Sequence, residues 1–368
     1  MFVLAFSLDP AKNDTSVILN FLRAFAAQVV CIGHAWNFGG LGTVYAPTDG
    51  VLLFFALSGF LIAYTLDNKS RSPSYGILDY GIERFARIYT AYLPAMLLIG
   101  LTTLAVRWYG IDIKADPVDL KTFIGNLLMQ QNLPCCLSVG TFGTAGQLTS
   151  VAVEFHIYFF VGALYFLLRG KDALGCCLIA APFSLMPLAY FSNIPGTDRA
   201  LFALWLLSFA SYYVAKHVVQ YQRNIAFWCL GFAVTLAVWL IQRVPGQNAY
   251  LQQYPMLVMS FFCLVMASQG VRVIPRRLAG LITVAADYSY SLFLIHLTIL
   301  RLIFSIWTDV TIWRMLFAVI VANVLAFAFA LMFERHYHRV SDWIKALLGR
   351  PSRRWRGEPT PCVGGRRP

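Results

Sequence analysis

Apolar runs close to twenty residues long recur along this chain of 368 residues, and their length constrains the fold more than any other feature. About twenty residues of α-helix cross the roughly 30 Å of hydrocarbon in a bilayer. The runs are continuous, whereas a membrane β-barrel would need short segments of alternating polarity. Hydrophobic residues make up 59% of the chain and charged residues 12%, which excludes an ordinary soluble globule of this size. The sequence therefore predicts an all-α, polytopic membrane protein.

We predict about ten transmembrane helices and one short interfacial helix near 119–131. The predicted spans are 17–36, 48–66, 88–107, 150–168, 173–192, 199–215, 225–242, 250–269, 285–306 and 312–333. Residues 1–340 are expected to form one membrane domain. The basic tail at 341–368 is expected to be disordered or to lie on anionic lipid.

The distribution of basic residues predicts the orientation in the membrane. With the N-terminus in the cytoplasm, Lys and Arg favour the cytoplasmic segments by roughly three to one. The same bias explains the net charge of +12 without a nucleic acid partner. No signal peptide is evident at the N-terminus. We therefore expect a multi-pass protein of the inner (plasma) membrane with both termini in the cytoplasm.

An arginine and a histidine share the first apolar run. Arg23 and His34 are eleven residues apart, which places them on one helix face about 16 Å from each other. Ionisable groups are expensive inside a membrane and usually have a partner or a function there. A neutral imidazole can accept a proton near pH 7, so His34 is the candidate general base. The structural alternatives are a histidine hydrogen-bonded between helices and an arginine that snorkels to the surface.

Two further arginines stand three residues apart at the predicted cytoplasmic start of the third span. Arg84 and Arg87 would share a helix face. Their planar guanidinium groups suit phosphate binding, which favours a role with the phosphates of coenzyme A. Ordinary positive charge beside a membrane helix is the alternative explanation.

Other polar residues fall within the predicted spans. Glu154 could orient an imidazole, bind hydroxyl groups or pair with an arginine as a brace. Ser58 and Gly59 are small and should let two helices approach closely. Tyr290 and His296 could line a cavity or satisfy each other in the core.

Four motifs recur in order along the chain. They are Arg23 and His34 with ten residues between them, the run Phe54-Phe55-x-x-Ser58-Gly59-Phe60-Leu61-Ile62, the segment Arg84-x-x-Arg87-Ile88-Tyr89, and the run from Tyr288 to His296. Each motif is weak alone, but together they extend from residue 17 to about residue 335 and make the chain similar to the acyltransferase family 3 membrane enzymes. Two positions depart from the family pattern: Thr149 stands where a tryptophan is common, and His336 stands where a proline is common.

The resemblance implies an enzyme that moves an acyl group, often acetyl, from cytoplasmic acyl-CoA to a hydroxyl of a carbohydrate or glycoconjugate. It implies catalytic roles for two residues, donor binding by three and a substrate cavity lined by three more. These are His34 and Glu154; Arg23, Arg84 and Arg87; and Ser58, Tyr290 and His296. No permanently bound cofactor and no metal site are expected. Direct transfer and an acyl-enzyme intermediate both remain open.

Two other functions are compatible with the polar residues. A proton-coupled transporter could use His34, Glu154 and Arg23 as relay and substrate groups. The absence of an obvious internal repeat counts against a transporter built from two related halves. The other possibility is a membrane scaffold without catalytic activity. A disulfide at Cys135 or Cys136 also remains open.

Overall fold

The computed structural model describes residues 6–133, 139–191, 200–222, 224–242, 253–309 and 311–350. Within these ranges the chain is built from α-helices joined by short connections. The helices are α1 (Thr15–Phe38), α2 (Ala46–Lys69), α3 (Ile77–Trp108), α4 (Leu120–Leu127), α5 (Leu148–Leu168), α6 (Ala173–Phe183), α7 (Leu185–Ala189), α8 (Leu201–Val218), α9 (Ile225–Gln242), α10 (Tyr254–Ser268), α11 (Arg276–Asp287), α12 (Ser289–Ile306), α13 (Ile312–Met332) and α14 (Tyr337–Leu347). A single 3₁₀ turn, Glu334–His336, joins α13 to α14.

Eight apolar helices in the described part of the chain are long enough to cross a membrane, and they confirm the predicted fold class. They are α1, α2, α3, α5, α8, α9, α12 and α13, the last continuing into α14. Helices α6 and α10 are apolar but have only 11 and 15 residues. The described residues therefore contain ten such apolar helices, of which eight have the full length of a span.

Three predicted spans differ from the observed helices. The span at 285–306 crosses the break at Tyr288 between α11 and α12. The span at 173–192 is divided at Ser184 into α6 and α7, and Pro182 and Pro187 lie on either side of the break. Proline removes a backbone donor and clashes with the preceding turn, which explains the interruption. The sequence predicts that the third span begins at residue 88, but α3 begins at Ile77. Arg84 and Arg87 therefore lie inside this helix, about 10 Å and about 15 Å from its start.

The helices define two ends of the bundle. At the basic end, the end of α2 meets the end of α8, where Lys216 Nζ binds Asp67 Oδ2 at 2.7 Å. The end of α5 also lies there, since Arg169 donates to Ser70 Oγ at 3.1 Å. The far end holds the end of α1 and the starts of α2 and α5. The predicted cytoplasmic segments lie at the basic end.

Small residues allow α2 to approach its neighbours closely. A Cβ atom on Gly59 would lie 2.3 Å from the Trp205 carbonyl oxygen in α8. A Cβ atom on Gly33 in α1 would lie 2.6 Å from Pro47 Cδ at the start of α2. The predicted close approach at Gly59 is confirmed, and it brings Ser58 against α8.

The segment between α3 and α5 folds back along α3, and the predicted helix near 119–131 is observed as α4. Tyr89 and Tyr92 of α3 donate hydrogen bonds to the Leu127 and Asn126 carbonyl oxygens at 2.7 and 2.9 Å. Asp119 caps α4 by accepting from the Thr122 backbone N–H, and this hydrogen bond lowers the pKa of Asp119. Cys135 and Cys136 lie outside the described residues.

The beginning of the predicted disordered tail is instead an ordered helix. Lys345 in α14 is buried, and its Nζ lies 2.8 Å from Glu83 Oε1 in α3. Arg350 Nη1 lies 2.8 Å from Asp79 Oδ2. The expectation of disorder is therefore wrong for 341–350, because α3 supplies buried carboxylates that bind these cations. Residues 351–368 lie outside the described part of the chain.

Candidate active site

His34 lies near the far end of α1 and lines a cavity of about 620 Å³. The cavity is bounded by the end of α1, the starts of α2 and α5, and one face of α12. The first residues of α2 come close to His34 because Gly33 leaves room for Pro47. The His34 ring therefore borders a cavity formed by four helices of the bundle.

Hydroxyl and amide groups dominate the polar lining of this cavity. The polar residues come from the end of α1, the α1–α2 connection, the start of α2, the start of α5, the residue that follows α7, and α12. The polar residues other than His34 are Asn37, Thr43, Tyr45, Thr48, Gln147, Thr149, Ser150, Tyr190 and Arg301. Hydroxyl and amide groups are the usual partners of sugar hydroxyls, since they can both donate and accept hydrogen bonds. Thr149, which replaces the common tryptophan of the resembled family, leaves more room in this lining.

A second histidine lies directly beside His34. The ring centroids of His34 and His296 are 5.5 Å apart, and their planes are inclined by 30°. His296 Nδ1 lies 2.9 Å from the Leu292 carbonyl oxygen and 3.0 Å from that of Phe293. Because carbonyl oxygens only accept, Nδ1 must carry the proton, and Nε2 has a bare lone pair. This Nε2 is buried and has no hydrogen-bond partner.

Glu154 is held at the end of a chain of hydrogen bonds that joins three helices. Trp205 Nε1 donates to Ser58 Oγ at 3.1 Å. Ser58 Oγ lies 2.8 Å from the Tyr158 hydroxyl, which donates to Glu154 Oε1 at 2.5 Å. Since the Tyr158 proton is directed at the carboxylate, Ser58 must donate to the Tyr158 oxygen. Each donor in this series of hydrogen bonds therefore points its proton in the direction of Glu154.

Arg87 binds a buried carboxylate from the other end of the sequence. Its Nη1 lies 3.0 Å from Glu334 Oε1, and Glu334 is buried. The other carboxylate oxygen accepts from the Ser291 backbone N–H at 3.0 Å and from Ser291 Oγ at 2.6 Å. The Arg87 guanidinium also lies 4.8 Å from the Tyr337 ring centroid. These contacts hold α3, α12 and the start of α14 together.

Arg84 and Arg23 complete a cationic cluster with Arg87. The Arg84 guanidinium lies 5.9 Å from the Tyr80 ring centroid and 6.0 Å from that of Tyr158. Arg23 is half-buried and lies within electrostatic range of both Arg87 and Glu334. Glu154 is also within electrostatic range of Arg23 and Arg87. Glu334 and Glu154 thus both lie within electrostatic range of Arg23 and Arg87.

The predicted site residues therefore fall into two neighbouring groups. His34 and His296 lie at the cavity, although His296 is covered and does not line it. A second group, Arg23, Arg84, Arg87, Glu154, Ser58 and Tyr290, lies nearer the basic end. None of these six residues is among the described residues that line the cavity. Val153 lines the cavity, so Glu154 is the residue next to a cavity-lining position in α5.

Sequence reasoning missed several residues of this arrangement. Glu334 was assigned no role, because the proline expected two residues later is absent. Tyr158 lies four residues after Glu154, and this helical spacing could have indicated the contact. Trp205 gave no such signal, since its partner Ser58 lies 147 residues away. Within the described ranges, His, Cys, Asp and Glu side chains form no cluster of three that could hold a metal ion.

The fold and the site define an all-α polytopic membrane protein with a histidine-lined cavity next to a buried cationic cluster. Comparison with family models matches residues 17–333 to the acyltransferase domain family Acyl_transf_3. The match covers most of the chain, so the protein belongs to acyltransferase family 3 and is a membrane acyltransferase. Comparison with curated proteins and with solved structures gave no match.

Proposed function

We propose that this protein is an O-acyltransferase that moves an acyl group, acetyl in the simplest case, from acyl-CoA to a hydroxyl of a carbohydrate or glycoconjugate. His34 acts as the general base. The observation that carries the proposal is the position of His34 in a cavity lined by hydroxyl and amide groups, about 16 Å along α1 from the arginine cluster.

The cationic cluster is the proposed binding site for the donor. Arg23, Arg84 and Arg87 carry three positive charges, whereas two carboxylates lie close to them: Glu334 pairs with Arg87, and Glu154 is within electrostatic range of Arg23 and Arg87. The surplus charge suits the phosphates of coenzyme A. The separation from His34 leaves room for much of an extended pantetheine arm, which would pass the layer that contains Glu154 and Tyr290. Acyl-CoA would thus enter from the basic end, which we assign to the cytoplasm.

The proposed reaction is a direct acyl transfer. A sugar hydroxyl is a weak nucleophile near pH 7, and His34 accepts its proton as the oxygen attacks the thioester carbonyl. The new C–O bond forms and the C–S bond then breaks. The coenzyme A sulfur leaves and takes the proton from the His34 imidazolium. No proton is gained or lost over the cycle.

Glu154 is proposed to bind the reacting acceptor or to support the positive charge on His34 during transfer. Its carboxylate is oriented by the hydrogen-bond chain through Tyr158 and Ser58. An oriented carboxylate acts without reorganisation when charge develops nearby.

The test compares His34→Ala with His217→Ala, whose histidine is exposed at the basic end of α8. Each variant is purified in nanodiscs and supplied with acetyl-CoA and a mixture of oligosaccharides. Loss of the general base should lower acetyl transfer by about 10²-fold or more, while binding of CoA is retained. His217→Ala should transfer at the wild-type rate. Acyl transfer that persists in His34→Ala would refute the mechanism.

A further inference from the structure

One guanidinium group lines the His34 cavity at the side remote from the arginine cluster. Arg301 extends from α12 and lies over Phe38, with its Cζ 5.8 Å from the ring centroid. Phe38 in turn stacks on His34 at a centroid distance of 5.8 Å. Phe38 therefore lies in contact with both the Arg301 guanidinium and the ring of His34, the proposed base.

The contacts of Arg301 leave most of its donors for a ligand. Nη1 donates to the Lys114 carbonyl oxygen at 2.5 Å, which anchors the guanidinium to the loop after α3. The Asp116 carboxylate is within electrostatic range, but it accepts from Thr141 and does not line the cavity. A guanidinium has five N–H donors, and its planar fork binds carboxylates and phosphates through paired hydrogen bonds.

No acidic side chain that could neutralise Arg301 is among the described residues that line the cavity. Apart from His34 and Arg301, the described residues that line it carry neutral side chains. A cation placed among hydroxyl and amide groups favours a ligand that combines sugar hydroxyls with one negative group. A neutral sugar would offer the guanidinium no charged group inside the cavity.

We propose that Arg301 binds an anionic group of the acceptor, a carboxylate or a phosphate on the acylated sugar or on the next one. The acceptor is thus an anionic carbohydrate. This inference rests on the proposed function, because it assigns the cavity to the acceptor and not to the donor.

The test measures binding of three sugars to the purified protein by calorimetry in the absence of acyl-CoA. D-glucuronate, glucose 6-phosphate and D-glucose are the probes, and nanodiscs of phosphatidylcholine provide no net anionic headgroup. The wild-type protein should bind the two anionic sugars about tenfold more tightly than glucose, which is typical of a charge-assisted hydrogen bond. Arg301→Gln should abolish this preference and leave glucose binding unchanged. Arg301→Lys should retain it for the phosphate more than for the carboxylate, since it loses the planar fork.

Arg107→Gln is the matched control. Arg107 also donates to carbonyl oxygens of the same loop, those of Ala115 and Asp116 at 3.1 and 3.3 Å, but it does not line the cavity. This variant should keep the wild-type preference, which separates ligand binding from loosening of the loop. Anionic sugars that bind no better than glucose, whether all three bind or none does, would overturn the inference. So would a preference that survives in Arg301→Gln. Because no donor is present, these results do not depend on whether acyl transfer occurs.

Discussion

The His34 imidazole is packed between two rings of different character. Phe38 stacks on it from the same helix, and His296 approaches it from α12. The backbone fixes the His296 proton on Nδ1, so Nε2 remains a buried acceptor beside the proposed base. A lone pair this close to the His34 ring would favour the protonated form of His34. His296 is therefore expected to act as a positioning residue.

Replacement of His296 by alanine should lower the rate of acyl transfer by about tenfold and alter its pH profile, because the charged form of His34 loses an acceptor. Activity per folded protein is measured across pH 5.5–8.5. His156→Ala is the control. His156 is also buried and also contacts the carbonyl four residues earlier, at 2.9 Å from Ala152, but it lies beside Phe183 and not His34. An equal loss and an unchanged pH profile in both variants would show that His296 is only structural.

The hydroxyl of Tyr158 links Ser58 to Glu154. Its removal should leave the charge of the Glu154 carboxylate in place but remove the hydrogen bond that orients it. Tyr158→Phe should reduce transfer by about tenfold while the protein remains folded, since one hydrogen bond to a charged group is lost. Tyr165→Phe is the control, because Tyr165 lies in the same helix and its hydroxyl is 3.0 Å from Ser70 Oγ near the basic end. The measurement is the steady-state rate with saturating acetyl-CoA. A wild-type rate in Tyr158→Phe would remove the hydrogen-bond chain from the mechanism.

At the scale of the helices, close approach decides where the polar side chains meet. α2 lies against α1 through Gly33 and Gly50 and against α8 through Gly59, so one helix holds both the His34 cavity and Ser58 in place. α3 is the longest helix in the described chain, and its extension toward the basic end carries Arg84 and Arg87 inside the bundle. The contact between α14 and α3 then covers that end through Lys345 and Glu83.

A methyl group at Gly59 should push α2 away from α8. Gly59→Ala is expected to lower the melting temperature, by an amount that corresponds to about 1–3 kcal/mol of overpacking. Gly280→Ala is the control, because a Cβ there has no neighbour within 4 Å and alanine favours the helix α11. Thermal unfolding in detergent micelles provides the measurement. Equal melting temperatures for both variants would contradict the close contact.

At the scale of the whole molecule, the site has two ends with different chemistry. The cationic cluster lies toward the basic end, and the His34 cavity lies toward the far end. In the proposed function, the donor and the anionic acceptor approach from opposite ends of the bundle and meet at His34. This arrangement requires the basic end to face the cytoplasm, where acyl-CoA is made.

The orientation can be tested with single cysteines in a background without native cysteines. Tyr109→Cys is exposed at the far end of α3, and His217→Cys is exposed at the basic end of α8. An impermeant maleimide should label Tyr109→Cys in intact cells and His217→Cys only after permeabilisation, because the positive charges retain the basic end inside. Labelling in the reverse order would contradict the proposed direction of donor entry.

The sequence by itself determined the class of fold, since long apolar runs can cross a membrane only as helices. It also indicated His34, Arg23 and Glu154, because ionisable groups are rare within such runs. It could not determine the partners of these groups. Glu334 reaches Arg87, Trp205 reaches Ser58, and His296 reaches His34 across helices far apart in the chain. Periodicity reports the face of one helix, whereas the choice of neighbouring helix depends on packing of the whole bundle. Only the tertiary structure therefore decided that the predicted residues occupy two adjoining groups, and that Arg301 lines the cavity with His34.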